Sequence, residues 1–257
     1  MADGLTHNGK TYRLVMFDLD DTLAPSKTAM SDQMVELFRD MLGVSLGCII
    51  SGGQMGQFQS QVLDRLGEFD DRANLHLMPT NGTRYLRWED PEWVTVYAED
   101  LTDDQKSRAL AVVEAGAREL GLWESQTWGP ILEDRGSQIT FSALGQAAPV
   151  DAKSAWDPDG RKKEALRAYA AERLGDLEVR SGGSTSVDIT AKGIDKAYGA
   201  RRLMELLDLT TDDILFFGDR LDEGGNDRPV QDLGIDSIPV HGWEDTYAKL
   251  AAIVRGD

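Results

Sequence analysis

Two carboxylates and a hydroxyl directly follow one apolar run near the start of the chain. Asp18, Asp20 and Thr22 come after residues 12–17, which read as a buried strand. Residues two positions apart in an extended chain point the same way, so both carboxylates can face one substrate where the strand opens into a turn. Two acids would then share one site. The alternative is a strand followed by an acidic turn.

A second apolar stretch, residues 214–217, also ends in carboxylates. The loop that follows it carries five side chains that end in a carboxylate or an amide: Asp219, Asp222, Glu223, Asn226 and Asp227. Clustered oxygen ligands suit Mg²⁺, which is bound by one or two carboxylates, keeps several waters and bridges to substrate phosphate. An acidic surface loop would explain the charge, but not the repeated placement of carboxylates at strand ends.

Two further positions have residue types that bind anions. Residues 44–50 predict another buried strand, which ends in Ser51 and a glycine pair that begins at Gly52. A hydroxyl and glycines at a strand end let backbone N–H groups approach an anion, so Ser51 is a candidate phosphate contact, with a flexible turn as the alternative. Lys196 lies in the first turn of a predicted helix, where the helix dipole does not favour a cation. A solvated surface lysine is the alternative there.

The composition excludes several classes of partner. The 257 residues carry a net charge of -18, with 41% hydrophobic and 28% charged residues, as is typical of a globular protein. Binding to a nucleic-acid backbone depends on clustered Lys and Arg, so no nucleic-acid partner is expected. No apolar run approaches the roughly 18 residues of a membrane span, and residues 1–10 lack the features of a secretory signal. Cys48, which is the single cysteine, fits a cytoplasmic location.

Between the two acidic clusters the pattern of the sequence changes. Residues 84–97 predict a hairpin, residues 147–158 an irregular loop, and residues 137–142 a half-exposed strand. Helices are predicted at 103–120 and 161–174, and further strands at 177–180 and 184–189. Strands in mixed order with two interposed helices indicate an α+β module rather than further βαβ units.

In chain order, four elements resemble the haloacid dehalogenase superfamily of phosphotransfer enzymes, and within it subfamily IIB. They are Asp-x-Asp-x-Thr after one strand, Ser51 after the next, Lys196 at a helix start, and Gly-Asp with Asn-Asp after a late strand. The resemblance implies an α/β fold with a Rossmann-like parallel sheet as the catalytic core, residues 1–83 and 191–257. It also implies an inserted α+β cap domain of the second type (C2), residues 84–190.

The same resemblance implies a role for each residue. Asp18 would be the nucleophile that forms an aspartyl-phosphate, and Asp20 would protonate the leaving oxygen and then activate the attacking group. Phosphate would be bound by Thr22, Ser51, Gly52 and Lys196. Mg²⁺ would be bound by Asp18, the Asp20 carbonyl, Asp219 and Asp227.

A closer resemblance, to the eukaryotic-type phosphomannomutases, comes from the long loop that ends in Gly-Gly-Asn-Asp and from two segments of the cap. The implied substrate-binding positions are Arg135, Gln146, Ser186, Asp188 and Asn226. Gln146 departs from that family, which has an arginine there, although Lys153 lies nearby. The expected activity is interconversion of hexose 1- and 6-phosphates, with a phosphorylated sugar as substrate and a sugar bisphosphate as activator. A homodimer is also expected.

Two alternatives stay open at this point. A phosphosugar phosphatase of the same superfamily would share the core residues and tolerate Gln146, because it has no bisphosphate to hold. A response-regulator receiver also has an acceptor Asp, a Ser or Thr and a Lys on an α/β sheet, and it signals without turnover. The interposed cap and the second acid, Asp20, weigh against a receiver, but a protein that only binds a metabolite would fit them.

Overall fold

Residues 4–256 are described by a computed structural model of the chain. Residues 1–3, at the start of the stretch in which no secretory signal is expected, and Asp257, the last residue of the predicted core, lie outside that range. The chain forms two compact units. The first, which we call the core, runs to Ala98 and resumes at Asp195, and the second, the inserted unit, is Glu99–Ile194.

A seven-stranded mixed sheet forms the centre of the core. With strands numbered along the chain, its spatial order is β13 (Asp236–Pro239), β12 (Ile214–Gly218), β3 (Leu14–Phe17), β4 (Leu46–Ile50), β5 (Leu75–Met78), β6 (Arg84–Glu89) and β7 (Glu92–Ala98). The first five strands in this order are parallel, and β6 and β7 are antiparallel to their neighbours. A separate hairpin is formed by β1 (Leu5–His7) and β2 (Lys10–Tyr12).

The central strands are apolar at nearly every position because both faces of the sheet are covered. Every residue of β3, β5 and β12 is buried, and the Phe17 and Phe217 rings stack at 5.1 Å. Helix α1 (Asp32–Val44) is capped by Ser31, since the Met34 N–H donates to Ser31 Oγ at 3.3 Å. The helices of the core are α1 (Asp32–Val44), α2 (Met55–Phe58), a π-helical turn (Gln59–Leu63), α3 (Asp64–Leu66), α7 (Lys196–Leu207), α8 (Arg228–Asp232) and α9 (Trp243–Arg255).

The inserted unit has a four-stranded antiparallel sheet. Its spatial order is β10 (Leu177–Ser181), β11 (Ser186–Ala191), β9 (Gln138–Ser142) and β8 (Leu132–Asp134). Its helices are α4 (Asp103–Glu119), α5 (Val150–Trp156) and α6 (Arg161–Arg173). Ile139 and Phe141 of β9 pack in one apolar cluster with helix residues such as Val113 and Leu166. None of the helices in the described part of the chain is both long and apolar enough to cross a bilayer.

The predicted α/β core with an inserted α+β unit is confirmed, but the predicted boundaries at 84 and 190 differ from those of the structure. The hairpin at 84–98 belongs to the core because β6 pairs with β5, and Tyr85 and Leu86 are buried in the apolar clusters of the core. The prediction of an irregular loop at 147–158 is wrong, because this stretch contains α5. All five residues of β9 are buried, so that strand is not half-exposed.

A buried histidine makes the core sensitive to acid. His76 of β5 is 4% exposed, and its Nδ1 lies 2.8 Å from the Tyr85 hydroxyl. Burial, helped by the positive charge of Arg87, lowers the pKa of His76 to about 4. The unfolded chain therefore binds more protons than the folded one between pH 6.5 and pH 4, and this part of the stability is lost as the pH falls through that window.

We expect His76→Gln to remove this loss of stability. Between pH 6.5 and pH 4 the wild-type free energy of unfolding should fall, relative to that of the variant, by up to about 3 kcal/mol. Urea unfolding with a chelator present measures the difference at each pH. His241→Gln, at an exposed histidine, is the control. Its free energy of unfolding should depend on pH in the same way as that of wild type. A constant difference between His76→Gln and wild type would contradict the prediction.

Candidate active site

Three predicted site residues follow the carboxyl ends of three adjacent strands. Asp18 follows β3, Asp219 follows β12 and Ser51 follows β4, and β3 lies between the other two strands. The Asp18 N–H donates to the Phe217 carbonyl at 3.0 Å, which continues the pairing of the two strands into the site. Ligands of open α/β sheets bind at this edge of the sheet, where the chain supplies both side chains and free backbone groups.

Lys196 is a buried residue and not a solvated surface lysine. Its Nζ lies 2.5 Å from Asp18 Oδ1 and 2.5 Å from Asp227 Oδ1, and the lysine is only 1% exposed. The helix that carries it begins after Asp195, whose carboxylate accepts the Tyr198 N–H at 2.8 Å. The ammonium group therefore joins Asp18, the residue after β3, to Asp227, at the end of the acidic loop after β12.

The loop that follows β12, residues 219–227, closes on itself so that Asp227 reaches the site. Asp227 Oδ2 accepts the Arg220 N–H at 3.0 Å, and the Asp227 N–H donates to the Arg220 carbonyl at 3.1 Å. Gly218 leaves space for this arrangement, because a Cβ there would lie 2.6 Å from Asp227 Oδ2. Asp227 is fully buried, whereas Asn226 beside it is exposed.

Three carboxylates share this small volume. Asp18, Asp219 and Asp227 each offer an oxygen, and these oxygens lie within 4.8 Å of one another. Burial is the main cause that raises the pKa of Asp18, with a further contribution from Asp227, and Lys196 opposes both. Burial and the charge of Asp227 raise the pKa of Asp219 to about 6. For Lys196, burial opposes the charged form, but Asp18 and Asp227 outweigh it and raise its pKa.

The residues present fit a divalent cation. Three carboxylates face a single ammonium group, so the cluster has excess negative charge in a buried place, which a cation would offset. The donors are all oxygens, as Mg²⁺ prefers. Thr22, four residues after Asp18, has a buried Oγ1 with no hydrogen-bond partner within residues 4–256, so its hydroxyl is available to a ligand.

Asp20 does not join this cluster with its carboxylate. Its Oδ2 accepts the Lys27 ammonium at 2.7 Å and the Gln57 amide at 2.8 Å, and its Oδ1 accepts the Lys27 N–H at 2.8 Å. Burial opposes the charged form, but Lys27 and Gln57 together outweigh it and lower the pKa of Asp20. The two acids of the Asp-x-Asp motif therefore have different surroundings.

The predicted phosphate contacts at the end of β4 form a tight turn. Ser51 is 5% exposed, its Oγ accepts the Gly53 N–H at 3.2 Å, and its carbonyl accepts the Asn81 N–H at 2.9 Å. Gly52 between them is half-buried. The turn thus has its own internal hydrogen bonds, and Ser51 Oγ keeps its hydroxyl proton as a donor.

The predicted substrate residues of the inserted unit lie along a polar network. The Thr140 hydroxyl donates to Asp188 Oδ1 at 2.8 Å and accepts the Gln138 amide at 2.9 Å. Elsewhere in the network the Gln146 amide donates to Ser142 Oγ at 2.6 Å. Two further contacts complete it: Ser142 Oγ lies 3.5 Å from Ser186 Oγ, and the Lys153 ammonium donates to the backbone carbonyl of Gln146 at 2.8 Å.

Arg135 has its charge balanced inside the same unit. Its Nη2 donates to Glu133 Oε2 at 2.6 Å, and the two side chains are 10% and 18% exposed. Its Nε is buried and has no hydrogen-bond partner in the described part of the chain, so one donor is left for an anion. The arginine can still orient an anionic group, but with little net charge.

Sequence reasoning missed the partners of the predicted residues. Lys27 and Gln57 hold Asp20, and Glu133 pairs with Arg135. The alternation of polar residues in 138–142 was a usable signal for the network of the inserted unit. No pattern pointed to Lys27, whose contact with Asp20 depends on the path of a loop.

Comparison with known proteins agrees with this geometry. A family model described as haloacid dehalogenase-like hydrolase matches residues 151–227. Phosphomannomutase from Encephalitozoon cuniculi (strain GB-M1) is 25% identical over 244 residues, which cover 92% of this chain and 91% of that protein. Phosphomannomutase from Schizosaccharomyces pombe (strain 972 / ATCC 24843) is 26% identical over 246 residues, with 93% of each chain covered.

Solved structures show the same fold. A haloacid dehalogenase-like hydrolase from Bacteroides thetaiotaomicron matches with a TM-score of 0.60 at 17% identity, and the match covers 95% of this chain and 100% of that one. IMP-nucleotidase from Plasmodium falciparum, in a C-terminally truncated form, matches with a TM-score of 0.68 at 16% identity, over 99% of this chain and 72% of that one. The chain is therefore an enzyme, a phosphotransferase or phosphatase, whose sequence is similar to the phosphomannomutases and whose residues 151–227 match the haloacid dehalogenase-like hydrolase family.

Proposed function

We propose that this enzyme is a Mg²⁺-dependent phosphotransferase that acts on phosphorylated sugars through a covalent phosphate on Asp18. The observation that carries the proposal is the buried Lys196 ammonium, bound at 2.5 Å to both Asp18 and Asp227, with Asp219 beside them. A carboxylate can attack a phosphate dianion only if the negative charge is offset. Mg²⁺, when bound by Asp18, Asp219, Asp227 and the Asp20 carbonyl, supplies that positive charge.

The chain's own residues divide the chemistry between them. An Asp18 oxygen bonds to phosphorus while the bond from phosphorus to the leaving oxygen breaks. Asp20, which must first take up a proton from solvent because Lys27 and Gln57 lower its pKa, passes that proton to the leaving oxygen. In the second step the oxygen of an attacking hydroxyl bonds to phosphorus, and ionised Asp20 takes the proton of that hydroxyl. The bond from phosphorus to Asp18 breaks, and Asp18 leaves as a carboxylate. Lys196, Ser51, Thr22 and the N–H of Gly52 bind the phosphoryl oxygens.

The first candidate activity is the interconversion of hexose 1- and 6-phosphates. The relatives named phosphomannomutase are similar over more than nine tenths of the chain, as their coverage of 92% and 93% shows. The polar network of Asp188, Ser186 and Gln146 supports a hydroxylated substrate, because it presents several donors and acceptors on one side of a sheet. The attacking hydroxyl would then be that of a sugar phosphate.

One observation favours a second candidate, a phosphosugar phosphatase. A mutase has to hold both ends of a bisphosphate, so it needs a second anion site. In the inserted unit Arg135 is balanced by Glu133, and Gln146 offers a neutral amide that is already bound to Ser142. A distal phosphate would be held weakly there, which favours water as the attacking group.

A panel of sugar phosphates tests both candidates. Hexose 1- and 6-phosphates are incubated with Mg²⁺, with and without a sugar bisphosphate, and both isomerisation and phosphate release are measured. Isomerisation that requires the bisphosphate supports the mutase, and phosphate release alone supports the phosphatase. If neither occurs with any member of the panel, the proposed function is wrong.

We expect Gln146→Arg to raise the ratio of isomerisation to phosphate release. An arginine adds a charged, fork-shaped donor to the inserted unit, and such a hydrogen bond is worth about 1.5–3 kcal/mol. The ratio should therefore increase by about one to two decades. Gln146→Met is the matched control, because it removes the amide without adding charge. An unchanged ratio in Gln146→Arg, or an equal rise in Gln146→Met, would contradict this expectation.

Several earlier expectations stay predictions. They are the bisphosphate activator, a homodimer, a cytoplasmic location and the absence of a nucleic-acid partner. The similarity to enzymes over more than nine tenths of the chain disfavours a signalling receiver and a protein that only binds a metabolite.

A further inference from the structure

One glutamine joins Asp20, the second acid of the Asp-x-Asp motif, to its other partner, Lys27. The Gln57 amide nitrogen donates to Asp20 Oδ2 at 2.8 Å, and its carbonyl oxygen accepts the Lys27 ammonium at 2.8 Å. These contacts determine which way the amide is turned, since the reverse orientation would put oxygen against a carboxylate and N–H groups against an ammonium. The Gln57 side chain therefore bridges Asp20 and Lys27 with its amide in one defined orientation.

The backbone makes room for this bridge. A Cβ on Gly53 would lie 2.2 Å from Gln57 Oε1, so a side chain at position 53 would displace the amide. The helix that carries Gln57 passes directly into the π-helical turn Gln59–Leu63, and such turns are frequent at functional sites. From that turn the Gln61 amide reaches Asp20 Oδ1 at 3.4 Å.

Gln57 is a better anchor for Asp20 than the Lys27 side chain. The Lys27 side chain is 47% exposed, and an exposed ion pair on a flexible side chain fixes little. The Lys27 N–H, at 2.8 Å from Oδ1, fixes one oxygen of the carboxylate. Gln57, which is half-buried, fixes the other oxygen.

We propose that Gln57 is a positioning residue that holds the Asp20 carboxylate where it exchanges protons with the leaving and attacking oxygens. The role rests on the proposed function, in which Asp20 is the acid and base. Held in this way, the Asp20 carboxylate stays apart from the cluster of Asp18, Asp219 and Asp227. A proton-transfer group has to lie within hydrogen-bond reach of the reacting oxygen, and a misplaced one loses most of its effect.

The test compares two leaving groups. A sugar oxygen needs a proton when it leaves, whereas 4-nitrophenolate leaves without one. In Gln57→Met, turnover of mannose 6-phosphate should fall by about tenfold or more, with KM unchanged within about twofold. The first turnover of 4-nitrophenyl phosphate, measured as a rapid-quench burst of nitrophenolate, should stay within about twofold of wild type. Its later steady state should fall, because the attack of water still needs Asp20.

Gln59→Met is the matched control. Gln59 lies on the same helical stretch and also binds a carboxylate, Asp64 at 2.6 Å, away from Asp20. It should behave as wild type with both substrates. Gln57→Glu is measured alongside, since it has the same shape and keeps an oxygen for Lys27 but loses the N–H donor to Asp20. It should show the same pattern as Gln57→Met, so the test does not depend on one variant folding.

Two results would overturn the role of Gln57. An equal fall in the aryl burst would show that Gln57 supports the fold of the phosphate site instead, and unchanged turnover of mannose 6-phosphate would show that Asp20 needs no anchor. Failure of the proposed function gives a different result. Wild-type protein that neither isomerises mannose 6-phosphate nor releases phosphate from either substrate, or an Asp18→Asn variant that remains active, would contradict the covalent mechanism and the role of Gln57 with it.

Discussion

We expect Asp18→Asn to abolish phosphate transfer and to leave the fold intact. An amide is a poor nucleophile and cannot form the acyl phosphate, so turnover should fall by about four decades or more, as is usual when a covalent nucleophile is removed. The stability should not suffer, because burial already raises the pKa of Asp18 and so disfavours its charged form. Lys196 keeps its second partner, Asp227.

Three measurements check this expectation together. Turnover is followed with the substrate on which wild type is fastest, the fold by circular dichroism, and the stability by thermal melting with a chelator present. Asp40→Asn is the control, because Asp40 is an exposed carboxylate on α1 whose partner is Arg255. It should change neither activity nor melting temperature. An Asp18→Asn variant that keeps a tenth of the wild-type turnover or more would rule out Asp18 as the nucleophile.

The largest effect on stability should come from Lys196→Met. Lys196 is the ammonium between Asp18 and Asp227, and the side chains of Lys196 and Asp227 have no exposed surface. Removing one member of a buried ionic cluster leaves the others uncompensated and costs about 3–5 kcal/mol in the free energy of unfolding. Turnover should be lost as well, because the phosphoryl oxygens lose their fixed cation.

A double variant, added Mg²⁺ and a control variant separate the loss of charge compensation in Lys196→Met from a simple loss of packing. In urea unfolding, the double variant Asp18→Asn, Lys196→Met should be more stable than Lys196→Met alone, because one of the uncompensated charges is gone. Mg²⁺ should stabilise Lys196→Met more than wild type, since a bound cation takes over the charge compensation. Lys249→Met, at a half-exposed ion pair with Asp245, should cost less than about 1 kcal/mol. Loss of stability that neither Asp18→Asn nor Mg²⁺ reduces would point to packing instead.

Much of the secondary structure was predictable because it follows from local patterns. The apolar runs before Asp18, Ser51 and Asp219 are strands β3, β4 and β12, and Lys196 does open a helix. The failures have local causes too. Residues 150–156 lack the apolar periodicity of a long helix, so the sequence predicts a loop where α5 forms. The hairpin at 84–98 looked like the start of a new module, but only tertiary pairing could show which sheet it extends.

The sequence by itself determined which residue types stand at the strand ends, because periodicity and turn residues act over a few positions. Tertiary structure alone decided which charges meet. Lys196 reaches Asp18 across 178 residues of chain, and nothing local distinguishes it from a surface lysine. Asp20 lies two residues from Asp18 but has different partners, because a loop and a helix bring Lys27 and Gln57 to it. Charge pairing depends on distances of a few ångströms, and only the packed fold determines those distances.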